Sequence, residues 1–201
     1  MSGTFKWKNF SDVDLNDKFF DSLKSDYAEF SQWFSKKQKD GEKVFVYDDE
    51  QGVGAFLYLK KEDEEITLDN RALPKKRRIK IGTLKLSERI RSQRLGEGAI
   101  GIALWYWRQS KFDEIYVTAF DKHTELVSIF NRFGFESVGK NPRGESVFIK
   151  NRTNMDFSDP YKCFPFVRNS FDRASIIPIN DIYHDQLFPY SELSRNNLHI
   201  A

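Results

Sequence analysis

The chain has 201 residues, 39% hydrophobic and 31% charged, with 32 Lys and Arg against 30 Asp and Glu and a formal net charge of +2. That length fits one domain with a proper core and a small appendage. A charge so nearly balanced gives no electrostatic ground of its own for nucleic-acid binding. Cys163 is the single cysteine, so no intrachain disulfide forms; no apolar stretch approaches the ~20 residues of a membrane span, and residues 1–17 lack the apolar segment of a secretory signal. A cytoplasmic protein without membrane contact is expected.

Phe occurs 19 times, so the core should be rich in aromatic rings. A short strand is expected near residues 4–7. Residues 15–39 then read as helix, because Phe19, Phe20, Leu23, Tyr27, Phe30, Trp33 and Phe34 recur at spacings of three and four. A break near Ser25, with Asp26 as the cap of a second helix, divides the segment in two. Gly41 suits the C-cap. Residues 43–65 read as a hairpin, with strands over 44–47 and 53–59 and a turn at 48–52. In "RRIKIGTLKLS" the apolar residues Ile79, Ile81, Leu84 and Leu86 alternate with polar ones, with an offset at Gly82 that predicts a bulge. A helix follows over 98–109, then a buried β-branched strand over 114–120. The next helix carries Leu126, Val127, Ile129, Phe130 and Phe133 and is closed by Gly134. A final hairpin turns at Pro142 and Gly144.

The order is thus ααββββαβαββ after the first short strand, ending near Arg152. Residues 153–201 differ in character, with four of the six prolines and short apolar runs at 164–166, 175–179 and 187–190. We therefore divide the chain into a domain over 1–152 and a C-terminal extension over 153–201.

The stretch "RSQRLGEGAIGIAL" places Gly96 and Gly98 directly before an apolar helix. The first N–H groups of a helix have no internal partner, and the helix dipole adds positive charge there. Glycine lets an anion approach the backbone, and Arg91 and Arg94 are suited to charge-assisted contacts. The same pattern also describes a plain turn before a core helix. It is not a P-loop, since no Gly-Lys-Ser/Thr follows. Gly96, Gly98 and Gly101 do spell G-x-G-x-x-G, but no early βαβ unit frames them as a dinucleotide site requires.

Gln93-Arg94-Leu95-Gly96-Glu97-Gly98 resembles the Q/R-x-x-G-x-G/A signature of the GNAT acetyltransferase superfamily. "TLKLSERIRSQRLGEGAIGIAL" is similar to that family's fourth strand, pyrophosphate loop and third helix. "EIYVTAFDKHTELVSIFNRFGFESVGK" is similar to its fifth strand, fourth helix and Gly-Phe ending. The resemblance covers roughly three quarters of the chain. It implies an α/β protein of the α+β kind, with a mixed, mostly antiparallel central sheet flanked by helices.

The function it implies is direct transfer of an acetyl group from acetyl-CoA to an amine: a small molecule, a protein or an aminoacyl-tRNA. Cofactor contacts would come from Leu86, Ser87 and Glu88 along the pantetheine arm. The backbone from Leu95 through Gly96, Glu97, Gly98 and Ala99 to Ile100 would take the pyrophosphate, together with Gln93 and Arg94. His123 falls near a family position that faces the cofactor. The fourth and fifth strands would splay apart, and the amide of Leu86 or Glu88 would meet the oxyanion. Glu88 is the candidate base, because a lysine-like amine is mostly protonated at neutral pH; pairing with Arg89 or Arg91 is its plainer role.

Phe130 stands where many relatives carry a tyrosine acid, and phenylalanine has no proton to give. Tyr116, Tyr161 or water would have to serve, and a noncatalytic CoA- or macromolecule-binding module is the alternative. His184 reads as tail packing and Cys163 as inert, and no metal-ligand cluster is spaced for binding. The basic run Lys75-Lys76-Arg77-Arg78 faces the acidic residues 61–65, which leaves a nucleic-acid partner weakly supported. A homodimer is left open.

Overall fold

The computed structural model describes residues 5–93 and 95–166 of the chain. Seven strands form one sheet in the order β1-β2-β3-β4-β5-β7-β6. In chain order these are β1 (Phe5–Asn9), β2 (Lys43–Asp49), β3 (Gly52–Thr67), β4 (Ala72–Leu86), β5 (Glu114–Ala119), β6 (Glu136–Lys140) and β7 (Ser146–Asn151). The helices are α1 (Asp21–Asp26), α2 (Phe30–Lys39), α3 (Leu95–Gln109), α4 (Thr124–Arg132) and the short α5 (Pro160–Cys163). Every strand pair is antiparallel except β4 with β5, which the α3 crossover makes parallel.

Helices cover both faces. On one, a 3-10 turn at Lys18–Phe20 and α2 bury Phe20, Phe30 and Phe34 against Phe10, Val44, Val46, Phe56 and Tyr58. The rings meet mostly edge to face, as Phe10 does with Phe34, Phe56 and Tyr58 at centroid distances of 5.0, 5.6 and 5.3 Å. Phenylalanine is shared between this layer and the opposite one. On the other face, α3 and α4 pack Ile100, Ala103, Leu104, Trp107, Phe130 and Phe133 onto Leu57, Leu59, Ile79, Ile81, Ile115, Val117 and Phe148.

Several boundaries differ from the sequence expectation. The helical break falls at residues 27–29, and Asp26 ends α1 instead of capping α2. Three strands, not four, lie between α2 and α3. The charged segments read as loop are strand, because Glu62↔Arg78, Asp63↔Arg77 and Glu64↔Lys76 face one another in register and extend the β3–β4 hairpin. α3 begins at Leu95, three residues earlier than expected, so Gly96 and Gly98 lie within its first turn.

Other expectations hold. Gly41, at φ 68°, ends α2 in a Schellman motif: Glu42 N–H donates to Lys37 O at 3.1 Å and Gly41 N–H to Gln38 O at 3.2 Å. Gly134, at φ 75°, ends α4 in the same way, with Phe135 N–H donating to Phe130 O at 3.0 Å and the two rings in contact. Gly82 is the extra residue of a β4 bulge, since Tyr58 pairs with Thr83 while Leu59 pairs with Ile81. A Cβ at Gly82 would stand 3.0 Å from the Tyr58 ring.

The first part of the expected extension rests on α3 and α4. Phe164 meets Trp105, and Phe166 meets Trp107, at centroid distances of 6.0 and 5.4 Å. The apolar runs at 175–179 and 187–190, and His184, lie outside the described residues.

Candidate functional site

The parallel ladder between β4 and β5 runs from Arg78↔Glu114 to Ile81↔Val117 and ends there. β4 continues beyond the bulge to Leu86, so a gap opens between the two strands above Ile81 and Val117. On its far side β4 stays paired with β3, as far as Ala55↔Leu86. Ser87 N–H donates to Gly54 O at 2.7 Å. Backbone groups alternate along an antiparallel strand, so Thr83 and Lys85 also bond toward β3, while the N–H and C=O of Leu84 and Leu86 point into the gap. This free edge leads directly to the start of α3.

Residues Glu88–Gln93 form a 3-10 turn between β4 and α3. It is anchored by Ile90, buried against Tyr47 and Ala55, and by Arg89. The Arg89 guanidinium grips Asp49 through two nitrogens, at 2.6 and 2.8 Å, and donates to Gly52 O at 3.0 Å. That bond holds the Asp49 carboxyl below its usual range. The Arg89–Asp49 grip was missed in the sequence, where Glu88 and Arg89 looked like natural partners. Only the β2–β3 turn, 40 residues upstream, supplies the acid. Glu88 opens the turn and is solvent-exposed.

The two glycines have different reasons. A Cβ at Gly96 would come within 3.0 Å of Ile129 and 3.1 Å of Leu86, so this glycine lets α3 close onto β4 and α4. Its N–H stays in the first turn. Gly98 is exposed, with nothing within 4 Å of the place a Cβ would take. The N–H groups of Ala99 and Ile100 have Leu95 and Gly96 carbonyls four residues behind them inside α3, which leaves the first turn as the donor set. Glu97 adds a carboxylate there, paired with Arg132 of α4. Arg94 lies outside the described residues, and Gln93 closes the 3-10 turn.

His123 stands at the N-cap of α4 and makes no side-chain capping bond. Phe130 is fully buried, with the Phe135 and Phe148 rings 5.6 and 5.5 Å away. The Tyr116 hydroxyl donates to Glu62, on the face covered by α1 and α2; burial and then Glu62 push its pKa far up. Tyr161 is on α5, under the Arg132 guanidinium at 4.0 Å, beyond the opposite end of α4 from His123. Neither tyrosine is thus aimed at the gap. Cys163 is buried in α5.

Three of the four residues of the basic run have local partners. Lys76 and Arg78 bind Glu114 at 2.8 and 2.6 Å, and Arg77 lies over the Phe112 ring at 4.5 Å. Lys75, the first residue of the run, is exposed.

No protein-family model matches the chain, and no curated protein sequence matches it. Solved structures do. Ard1 from Thermoplasma volcanium superposes with a TM-score of 0.54 at 14% identity, over 74% of this chain and 95% of that one. A GNAT-family acetyltransferase from Staphylococcus aureus Mu50 gives 0.53 at 14%, over 75% and 99%. The fold is that of the GNAT superfamily. A GNAT phosphinothricin acetyltransferase from Sinorhizobium meliloti, solved with AcCoA, gives 0.50 at 16%, over 74% and 86%. At these identities the likeness is one of fold. No helix among the described residues is long and apolar enough to cross a membrane.

Proposed function

We propose that the chain is an N-acyltransferase that uses acetyl-CoA and passes the acetyl group directly to an amine. The observation that carries this reading is the open β4 edge beyond Ile81↔Val117, continuous with the first turn of α3. The cofactor fits the residues present. The first-turn amides of Leu95, Gly96, Glu97 and Gly98 are donors for a diphosphate, and the open space at Gly98 admits it. The Leu84 and Leu86 backbone offers the amide arm a strand-like partner at the gap. Gln93, Arg94 and His123 complete the proposed contacts.

Acetyl-CoA supplies an activated acyl thioester. The chain's residues position and polarise. The Leu86 N–H points where a carbonyl oxygen gathers negative charge during attack, and a fixed backbone dipole there stabilises that charge without reorganising. Glu88, at the end of β4, accepts the proton that the attacking amine loses. With Phe130 buried and Tyr116 committed to Glu62, the departing thiolate takes its proton from water. The transfer needs no covalent enzyme intermediate, so positioning does most of the work.

Phe130 favours a second reading, in which the fold binds CoA and does not turn it over. A thiol-release assay with acetyl-CoA against pooled amines, peptides and aminoacyl-tRNAs separates the two. Release with any pool supports the enzyme and identifies the acceptor class. CoA binding without release from any pool supports the module, and absence of CoA binding removes both.

A further inference from the structure

The face of the sheet that carries α3 and α4 is not wholly covered. Beside β1 and the distal half of α3 lies a cleft of about 270 Å³, lined by Trp7, Asp40, Gly41, Glu42, Lys43, Leu59 and Tyr106. Leu59 is buried and forms its floor. Trp7, 44% exposed, forms one wall, with its ring 4.1 Å from Phe45 and 6.3 Å from Tyr106. Half-burial and then the Glu42 carboxylate raise the Tyr106 pKa. Asp40 caps the C-terminus of α2, the negative end of a helix dipole. Glu42 also takes Lys37 at 3.4 Å, and Lys43 is the opposing charge on the rim.

We propose that this cleft binds an alkylammonium cation. Indole and phenol faces attract a cation through the ring quadrupole, and the attraction grows as the site sheds water. Two carboxylates and a helix C-terminus add the same preference, while an apolar floor accepts the alkyl groups. Neither an anion nor a neutral aliphatic ligand would use all of these features together. The site lies about 16 Å along α3 from Leu95, at 1.5 Å per residue, and is independent of the acyl-transfer reading.

The test compares choline with its neutral carbon isostere, 3,3-dimethylbutan-1-ol, by chemical-shift perturbation on the full chain. Choline should shift the Trp7 indole and the Gly41 and Leu59 amides saturably, and the isostere should bind at least about tenfold more weakly. Asp40→Asn combined with Glu42→Gln, both on the rim, should weaken choline about tenfold while leaving the spectrum folded. Trp7→Leu should do the same. The proposal fails if the isostere binds as well as choline, if choline leaves the Trp7 indole unmoved, or if the charge-neutral variant binds choline undiminished.

Discussion

Gly96 and Gly98 carry different constraints although they stand two apart. Gly96→Ala forces a methyl against Leu86 and Ile129, whose side-chain ends lie 3.1 and 3.0 Å from its place. It should lower stability by ~1–3 kcal/mol, read by chemical denaturation. A Cβ at Gly98 meets nothing within 4 Å, so Gly98→Glu should leave the midpoint nearly unchanged while adding a charge and bulk where the diphosphate is proposed. Calorimetry with CoA should show affinity reduced at least about tenfold; undiminished affinity would remove the first turn of α3 as the anchor. Glu88→Gln should lower the acyl-transfer rate with CoA affinity retained. Both glycines were legible in the sequence, but the reason for Gly96 was not, because its neighbours come from β4 and α4.

Lys150 was not singled out in the sequence, where it reads as the polar end of a strand. In the fold it is 2% exposed, and its ammonium donates to Phe133 O and Lys162 O. Burial lowers its pKa from 10.5 to about 8. Between those values the unfolded chain holds a proton that the native chain does not, so stability rises with pH across the window. The penalty is full below about pH 8 and gone above 10.5. Denaturation at pH 8 and pH 10 should show wild type gaining stability relative to Lys150→Met, which has no such proton. Parallel changes in the two proteins would mean that Lys150 titrates normally.

Among the elements, α4 shows how closely local signals can determine a structure. Phe133-Gly134-Phe135 gave away the helix end, and the Schellman motif is there with its Phe130–Phe135 contact. The same glycine also meets α5, since a Cβ would stand 2.9 Å from Lys162 O. Gly134→Ala therefore combines a left-handed backbone with a backbone clash and should cost at least ~1–3 kcal/mol in thermal or chemical unfolding. The β3–β4 hairpin shows the opposite case. Its distal half lacks apolar alternation, so a reading based on periodicity ends both strands early. Opposite charges lie across the ladder there, but among the described residues only Lys80 reaches back to a β3 carboxylate, Glu62 at 3.6 Å, while Lys76 and Arg78 turn to Glu114 of β5. Exposed pairs contribute only ~0–1 kcal/mol each. Arg78, buried at 3% exposure against Glu114, is the exception.

For the whole molecule, the order of elements was largely legible, because most of the strands and helices announce themselves through a period of two or of three to four. The position of the sheet gap was not. It depends on where the β4–β5 ladder stops, a relation between residues far apart in the chain, and only the resemblance to the GNAT family implied it. The bulge was visible as a phase change between Ile81 and Leu84, though without its consequence. Ile79 and Ile81 occupy odd positions and Leu84 and Leu86 even ones, yet all four face α3 and α4. Were the bulge ironed out, so that Gly82 itself paired with Tyr58, the tip of β4 would turn over like a reversed glove. Lys85 would point into the aliphatic layer, and Thr83 and Lys85 would present the outward amides in place of Leu84 and Leu86. Along this strand the tally of residues thus matters as much as their chemistry.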